Sequence, residues 1–124
     1  MHEPHYLELM AQASTRFLEE VGVNDAYRRA GFTYFSVESR LKYLREILAG
    51  ENIRILTRVL GTIEKKLLLL HQLQTEDGTI AATCEATLIH VDLNTRASCL
   101  PSTDVVTRLA TYAASHEPLK QTLD

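Results

Sequence analysis

Residues Glu3–Gly22 read EPHYLELMAQASTRFLEEVG, and from Pro4 to Gly22 this stretch predicts one long amphipathic helix. Leu7, Met10, Ala11, Ser14, Phe17, Leu18 and Val21 recur at spacings of three and four, which puts them on one helical face. Glu8, Gln12, Arg16, Glu19 and Glu20 take much of the opposite side. Pro4 suits the first turn, where its missing N–H costs nothing, and Gly22 suits a left-handed stop. So long an apolar stripe needs a partner surface. Almost everything after residue 31 patterns as strand, so the expected partner is a sheet.

Outward from that helix, VNDAYRRAG at residues 23–31 predicts a short helical turn capped by Asn24 and ending at Gly31. Phe32 to Glu46 reads FTYFSVESRLKYLRE, in which Phe35, Val37, Leu41 and Tyr43 alternate with Ser36, Glu38, Arg40 and Lys42. That is the period of a strand. A turn around Gly50-Glu51-Asn52 leads to a second strand, Ile53–Ile63, with Ile53, Ile55 and Val59 on one face and Arg54 and Arg58 on the other. Lys66–Gln74 forms the third strand and Thr79–Asp92 the fourth. Between them lies Asp77-Gly78, a strong hairpin signal when flanked by apolar runs. Asn94 opens a loop to Pro101, and Ser102 caps a last helix with Val105, Val106, Leu109 and Ala113 as its stripe. Pro118 ends that helix, and residues 118–124 are expected to fray.

The hairpin sets a register. With Asp77-Gly78 as a two-residue turn, Glu76 faces Thr79, and Leu73 pairs with Ala82, His71 with Cys84, Leu69 with Ala86 and Leu67 with Leu88. This apolar face is the one to carry the helix. On the reverse, Gln72 meets Thr83, Leu70 meets Glu85 and Leu68 meets Thr87, and Ile89 and Val91 add further apolar area. A sheet back this apolar suggests contact with another subunit. The architecture predicted for residues 1–124 is a single α+β domain, a helix layered on an antiparallel meander.

At 124 residues and 45% hydrophobic, the chain builds one core without disulfides. Thirteen basic against sixteen acidic residues give a net charge of −3, which carries no general signal for polyanion binding but leaves room for a local basic patch. Cys84 and Cys99 have no metal-type spacing and read as reduced thiols of a cytosolic protein. No apolar run reaches membrane-spanning length and the first residues do not resemble a secretory signal, so a soluble cytoplasmic protein is expected.

His71 and Cys84 form a cross-strand pair with His90 on the same face, but the pattern positions no third ligand, and no metal is expected. The plain reading of His71 is a hydrogen-bonded interior histidine. Glu38 is a carboxylate within a strand, whose plain reading is a solvent-facing residue. Glu64-Lys65-Lys66 sits at a tight connection, and its plain reading is solvated turn residues; the alternative is that these lysines, with Arg54 and Arg58 on a neighbouring strand, hold ligand phosphates. Tyr6, Phe32, Tyr34, Phe35 and Tyr43 serve core packing or, in the minority reading, a cage for a quaternary ammonium. No nucleophile elbow, phosphate-cradling glycine loop or dinucleotide fingerprint occurs.

Helix first, long strand second and then a meander resembles the hot-dog fold, in which a sheet wraps a central helix. HYLELM (5–10), FSVESRLKYLREILAG (35–50), EKKLLLLHQL (64–73) and EATLIHVD (85–92) resemble the hydroxybenzoyl-CoA-thioesterase-like branch, and most of all the betainyl-CoA thioesterases associated with carnitine breakdown. The positions similar to that family's recurring ones are His5, Tyr6, Glu38, Tyr43, Glu46, Gly50, Lys65, His71, Glu85, His90 and Asp92. The resemblance implies homodimers with acyl-CoA clefts at the subunit interface, often paired into homotetramers. It implies no cofactor beyond the CoA carried by the substrate. In the family a strand precedes the helix, and the junction carries D-x-N-G-H-M-N, whose Asp is the usual catalytic carboxylate. Met1-His2-Glu3-Pro4 resembles only the end of that motif, so the expectation is either a shortened chain whose first strand and Asp would lie upstream, which is favoured, or a protein that lacks the strand and its standard catalytic group.

The expected function is therefore hydrolysis of a small acyl-CoA, betainyl-CoA among them. His5 and Tyr6 at the helix start would supply donors and the dipole for an oxyanion, and Glu38 or Glu3 a substitute carboxylate. Arg58, Lys65 and Lys66 would hold the CoA phosphates, while Tyr43 and His71 would line the substrate site. The competing expectation is a non-catalytic module that binds acyl-CoA or only dimerises, which the missing Asp supports. A cone-shaped fold, its curved sheet enclosing a pocket, ranks behind because Trp is absent and the helix stripe is long.

Overall fold

Strands of ten to thirteen residues with one apolar face supply the surface that the first helix needs. The computed structural model describes residues 3–48, 50–115 and 117–122. In chain order the elements are α1 (Glu3–Glu20), α2 (Asp25–Arg29), β1 (Phe32–Tyr43), β2 (Ile53–Ile63), β3 (Lys66–Thr75), β4 (Ile80–Asp92), α3 (Thr103–Ser115) and β5 (Leu119–Thr122). The strands form one antiparallel sheet in the order β1-β4-β3-β2-β5, with α1 packed on one face. This is the expected α+β hot-dog architecture, but not the expected four-strand meander: only β2-β3-β4 follow one another in space, β1 crosses over to pair with β4, and β5 adds a fifth strand beside β2. Among the described residues no helix is long and apolar enough to cross a membrane.

The end of α1 shows why it stops where it does. Gly22 adopts φ +96, the Val23 N–H reaches back to the Leu18 carbonyl at 2.8 Å, and the Gly22 N–H to that of Glu19 at 3.1 Å. This is a Schellman cap, closed by Leu18 and Val23 in a shared core cluster. Asn24 then caps α2, its side chain accepting the Tyr27 N–H at 3.1 Å.

The buried stripe of α1 keeps Met10, Phe17, Leu18 and Val21 of the expected one and differs along its edge. Tyr6, Leu9, Met10, Ala13, Phe17, Leu18 and Val21 are buried, whereas Leu7 is 43% exposed and Ala11 is exposed. Both stripes satisfy a spacing of three and four, and the aromatic and Leu9 side chains win the contact with the sheet. Phe17, Leu67 and Leu69 at one end and Ile55 and Leu73 at the other are fully buried. Each contributes about 1.5–3 kcal/mol of transfer free energy.

In β1 the expected single apolar face is broken. A bulge between Ser36 and Glu38 makes Val37 an extra residue, so the parity of the strand flips. Tyr34, Ser36, Ser39, Leu41 and Tyr43 pair with helix-facing residues of β4, while Phe35 faces the other way and Val37 is 54% exposed. The β3–β4 register is as expected from Leu67–Leu88 to Leu73–Ala82, but the turn is not the two-residue one. Thr75 N–H bonds the Thr79 carbonyl, and a shift after Leu73 pairs Gln74 with Ile80, which restores the register. The α3 stripe is Val105 and Leu109 with half-buried Tyr112, whereas Val106 and Ala113 are exposed.

The tail does not fray over its described part. Residues 119–122 form β5 and pair with β2, Gln121 opposite Ile55 and Leu119 opposite Thr57. Leu119 packs against the core and Gln121 is buried.

Candidate functional site

One flank of α1 borders a groove. Leu7, Ala11, Ser14 and Leu18 on α1 face Tyr34, Ser36 and Ser39 of β1 across a cavity of about 230 Å³, floored by His71, Cys84 and Ala86. The β1 bulge is what turns Ser36 and Ser39 to the same side, their hydroxyl oxygens 3.5 Å apart. The groove is lined by hydroxyls, an imidazole, a thiol and apolar groups, and among the described residues no carboxylate or ammonium group borders it.

His71 has no exposed surface and both ring nitrogens are engaged. Ser14 Oγ lies 2.8 Å from Nε2, and Thr57 Oγ1 lies 2.8 Å from Nδ1. Gln121 Nε2 donates to Thr57 Oγ1 at 3.2 Å and to the Ala13 carbonyl at 3.0 Å. Burial pulls the His71 imidazole down to about 4, so it is neutral near pH 7. Burial also pushes the Cys84 thiol up, against a smaller opposing pull from the Ser39 hydroxyl, so this thiol is protonated. The predicted His71–Cys84 cross-strand pair is present. Among the described residues no three His, Cys, Asp or Glu side chains converge as a metal site would require.

At the amino end of α1, Tyr6 is buried and meets Tyr43 edge-on at 4.9 Å. Burial raises the Tyr6 hydroxyl, the nearby Glu46 charge adds to that, and Arg45 opposes it. His5 is exposed, 3.9 Å from Glu8. Both residues fall in the first turn of α1, at the positive end of the helix dipole. Lys65 and Lys66 stand at the β2–β3 turn. Lys65 Nζ donates to Ser98 Oγ at 3.4 Å, and Lys66 borders a second cavity of about 330 Å³ that shares Tyr34 with the groove.

Glu38 and Arg58 are elsewhere. Glu38 is exposed on the face of the sheet away from α1, paired with Arg40 Nε at 3.0 Å. Arg58 Nε donates to Gln72 Oε1 at 3.1 Å on that same face. The structure thus gathers His5, Tyr6 and Tyr43 at one end of α1, sets His71 beneath its middle, and leaves Glu38 and Arg58 behind the sheet. Glu3 lies in α1.

Sequence reasoning passed over Ser14, Ser36, Ser39, Thr57 and Gln121 as functional groups. Ser14 carried a usable signal, a hydroxyl in an otherwise apolar stripe. The serines of β1 needed the bulge, and Gln121 needed a strand where a frayed tail was expected.

Residues 1–109 match the thioesterase-like superfamily. The L-carnitine dehydrogenase/betainyl-CoA thioesterase of Ruegeria pomeroyi is 38% identical over 119 residues, which are 96% of this chain and 24% of that protein. The betainyl-CoA thioesterase of Pseudomonas aeruginosa is 27% identical over 121 residues, 96% of this chain and 76% of that one. The chain therefore spans about a quarter of the length of the two-activity relative from Ruegeria pomeroyi. Among solved structures, a Staphylococcus aureus protein in complex with CoA superposes with a TM-score of 0.88 at 27% identity, over 92% of this chain and 73% of its own.

Proposed function

The chain belongs to the thioesterase-like superfamily, and on that premise we propose that it hydrolyses an acyl-CoA thioester to the free acid and CoA. The observation that carries this reading is the groove along α1, a slot of uncharged hydroxyl and alkyl groups with a neutral imidazole at its floor. Such a lining suits a flexible, mostly uncharged chain studded with amides and a thioester. The first turn of α1, with His5 and Tyr6, meets the developing oxyanion with backbone donors and the positive end of the helix dipole. Lys66, beside the cavity that adjoins the groove at Tyr34, is placed to meet the anionic end of CoA, and Lys65 stands next to it.

Water activation requires a base, for which a carboxylate is the usual choice. Glu38 of the same protomer faces away from the groove, so this reading places the base on another group or on a second copy. The acyl group proposed is small. Betainyl is the first choice, on the names of the relatives. No cofactor beyond the substrate's own CoA is proposed. A second copy of the chain, as dimer or tetramer, covers exposed Phe35, Leu60 and Ile63 behind the sheet. Free Cys84 and Cys99 fit the reducing cytoplasm.

The test is release of free CoA thiol from acetyl-, betainyl- and benzoyl-CoA by the purified chain. Turnover favouring the small acyl groups supports the proposal. Tight acyl-CoA binding in calorimetry with no thiol released would replace it with a non-catalytic binding module.

A further inference from the structure

Gln121 lies on β5, yet its side chain points beneath α1 and is buried. Its Nε2 gives one proton to the Ala13 carbonyl, which can only accept, so the amide has a single allowed orientation. The other proton goes to Thr57 Oγ1, and Gln121 Oε1 is left with no partner among the described residues. Thr57, with no exposed surface, must then place its own hydroxyl proton. Among the described residues the acceptor within reach is His71 Nδ1 at 2.8 Å. A proton on Nδ1 would instead leave the Thr57 hydroxyl buried without an acceptor, which native structures rarely tolerate. Nδ1 therefore accepts, and Nε2–H donates to Ser14 Oγ at 2.8 Å. Among the described residues no acceptor takes the remaining Ser14 proton, and Ser14 borders the groove.

We infer that Gln121 is a positioning residue for the groove: through Thr57 and His71 it holds the Ser14 hydroxyl as a hydrogen-bond donor to a carbonyl oxygen of the bound thioester. The identity of that ligand rests on the acyl-CoA reading above, whereas the proton order of the relay does not. Burial keeps the His71 imidazole neutral, so the relay works as a fixed chain of dipoles and not as an ion pair. The α1 side of the groove runs from Leu7 to Leu18, about 16 Å at 1.5 Å per residue. That length admits both carbonyl sources a CoA thioester offers, the acyl group and the amides of the pantetheine arm.

Nitrogen-15 NMR of the full chain reads the His71 tautomer. The expected result is Nε2–H alone in the wild type, with the second tautomer appearing in Gln121→Leu and in Thr57→Val, neither of which alters the groove lining. A wild type that already populates Nδ1–H, or two folded variants that both keep Nε2–H alone, would overturn the relay.

Calorimetry with free CoA and with a non-hydrolysable ketone analogue of acyl-CoA tests the donor. Ser14→Ala is expected to weaken binding by about fivefold to tenfold, the size of one neutral hydrogen bond, and Ser14→Thr to restore it. Loss with both ligands assigns the oxygen to the pantetheine arm, and loss with the analogue alone assigns it to the acyl group. Unchanged binding of both ligands by Ser14→Ala overturns the donor role. A wild type that binds neither ligand overturns the acyl-CoA reading and the Ser14 role with it, while the tautomer result stands or falls on its own.

Discussion

His71 and His90 share the helix-facing side of the sheet, neither has exposed surface, and each is engaged at both ring nitrogens. They differ in what lies one bond further out. His90 Nδ1 meets the Cys99 carbonyl at 3.0 Å and Nε2 meets the Tyr27 hydroxyl at 2.7 Å. That hydroxyl in turn accepts the Ser102 N–H, and Phe32 stacks over the ring at 5.9 Å. Every end of that chain is tied to backbone. The His71 chain is tied to backbone at Ala13, but its other end is the Ser14 hydroxyl at the groove. Burial marks both residues equally, and only the far end of the hydrogen-bond chain separates the two, closed on backbone for His90 and ending at the groove through Ser14 for His71.

The largest expected effect breaks the closed region. Phe17, fully buried among Leu67, Leu69, Val105 and Leu109 and edge-on to Tyr112 at 5.1 Å, should cost about 3–5 kcal/mol when cut to Ala, measured by urea unfolding. A cost below about 1 kcal/mol would mean that this end is looser than the groove end.

Acidification comes next and concerns the open region. An unfolded histidine takes its proton near pH 6.5, whereas folded His71 resists until about 4. The unfolded chain thus binds the extra proton first. His71 stabilisation is present above pH 6.5 and is lost between 6.5 and 4, by about 3 kcal/mol. His90 is lowered mainly by burial, partly offset by its bond to Cys99, and adds in the same direction. Stability curves at pH 7, 5.5 and 4.5 should show the decline, and His71→Gln should flatten it. A wild type as stable at pH 4.5 as at pH 7 would contradict the burial.

Tyr27→Phe is a smaller cut at the closed end. It removes the partner of both His90 Nε2 and the Ser102 N–H, with an expected loss of about 1–2 kcal/mol and no change in acyl-CoA affinity. A drop in affinity without a loss of stability would blur the distinction. The smallest effect belongs to the outer face, where Arg40→Ala removes only the exposed pair with Glu38 and should stay within about 0.5 kcal/mol in the same unfolding assay.

The parts of this structure readable from the sequence are those set by alternation. The β3–β4 pairs from Leu67 to Leu73 follow from period two, and they put His71 beside Cys84 as expected. The same register survived a wrong turn because the shift after Leu73 compensates for the longer loop at Thr75–Thr79. Features that add or re-use one residue left no such trace. The extra Val37 reverses the outlook of β1, and a polar Leu-Lys-Gln-Thr tail carries too little apolar pattern to announce a strand. The edge of the α1 stripe is a third case, since Tyr6, Leu9 and Ala13 extend the shared residues at the same spacing as Leu7, Ala11 and Ser14. The site suffered accordingly. The place of His71 beside Cys84 was legible from strand alternation and those of His5, Tyr6 and Tyr43 rested on the resemblance, whereas Ser14, Ser39 and Gln121 come together only once helix, bulge and tail are assembled.

The measurement that bears most directly on the central contrast is kcat/KM for CoA release in His71→Asn and His90→Asn, each with its unfolding free energy. The account predicts a loss of more than about tenfold for His71→Asn in a folded protein, and a change within about threefold for His90→Asn despite lower stability. Equal losses in both variants, or an active His71→Asn beside an inactive but folded His90→Asn, would contradict it.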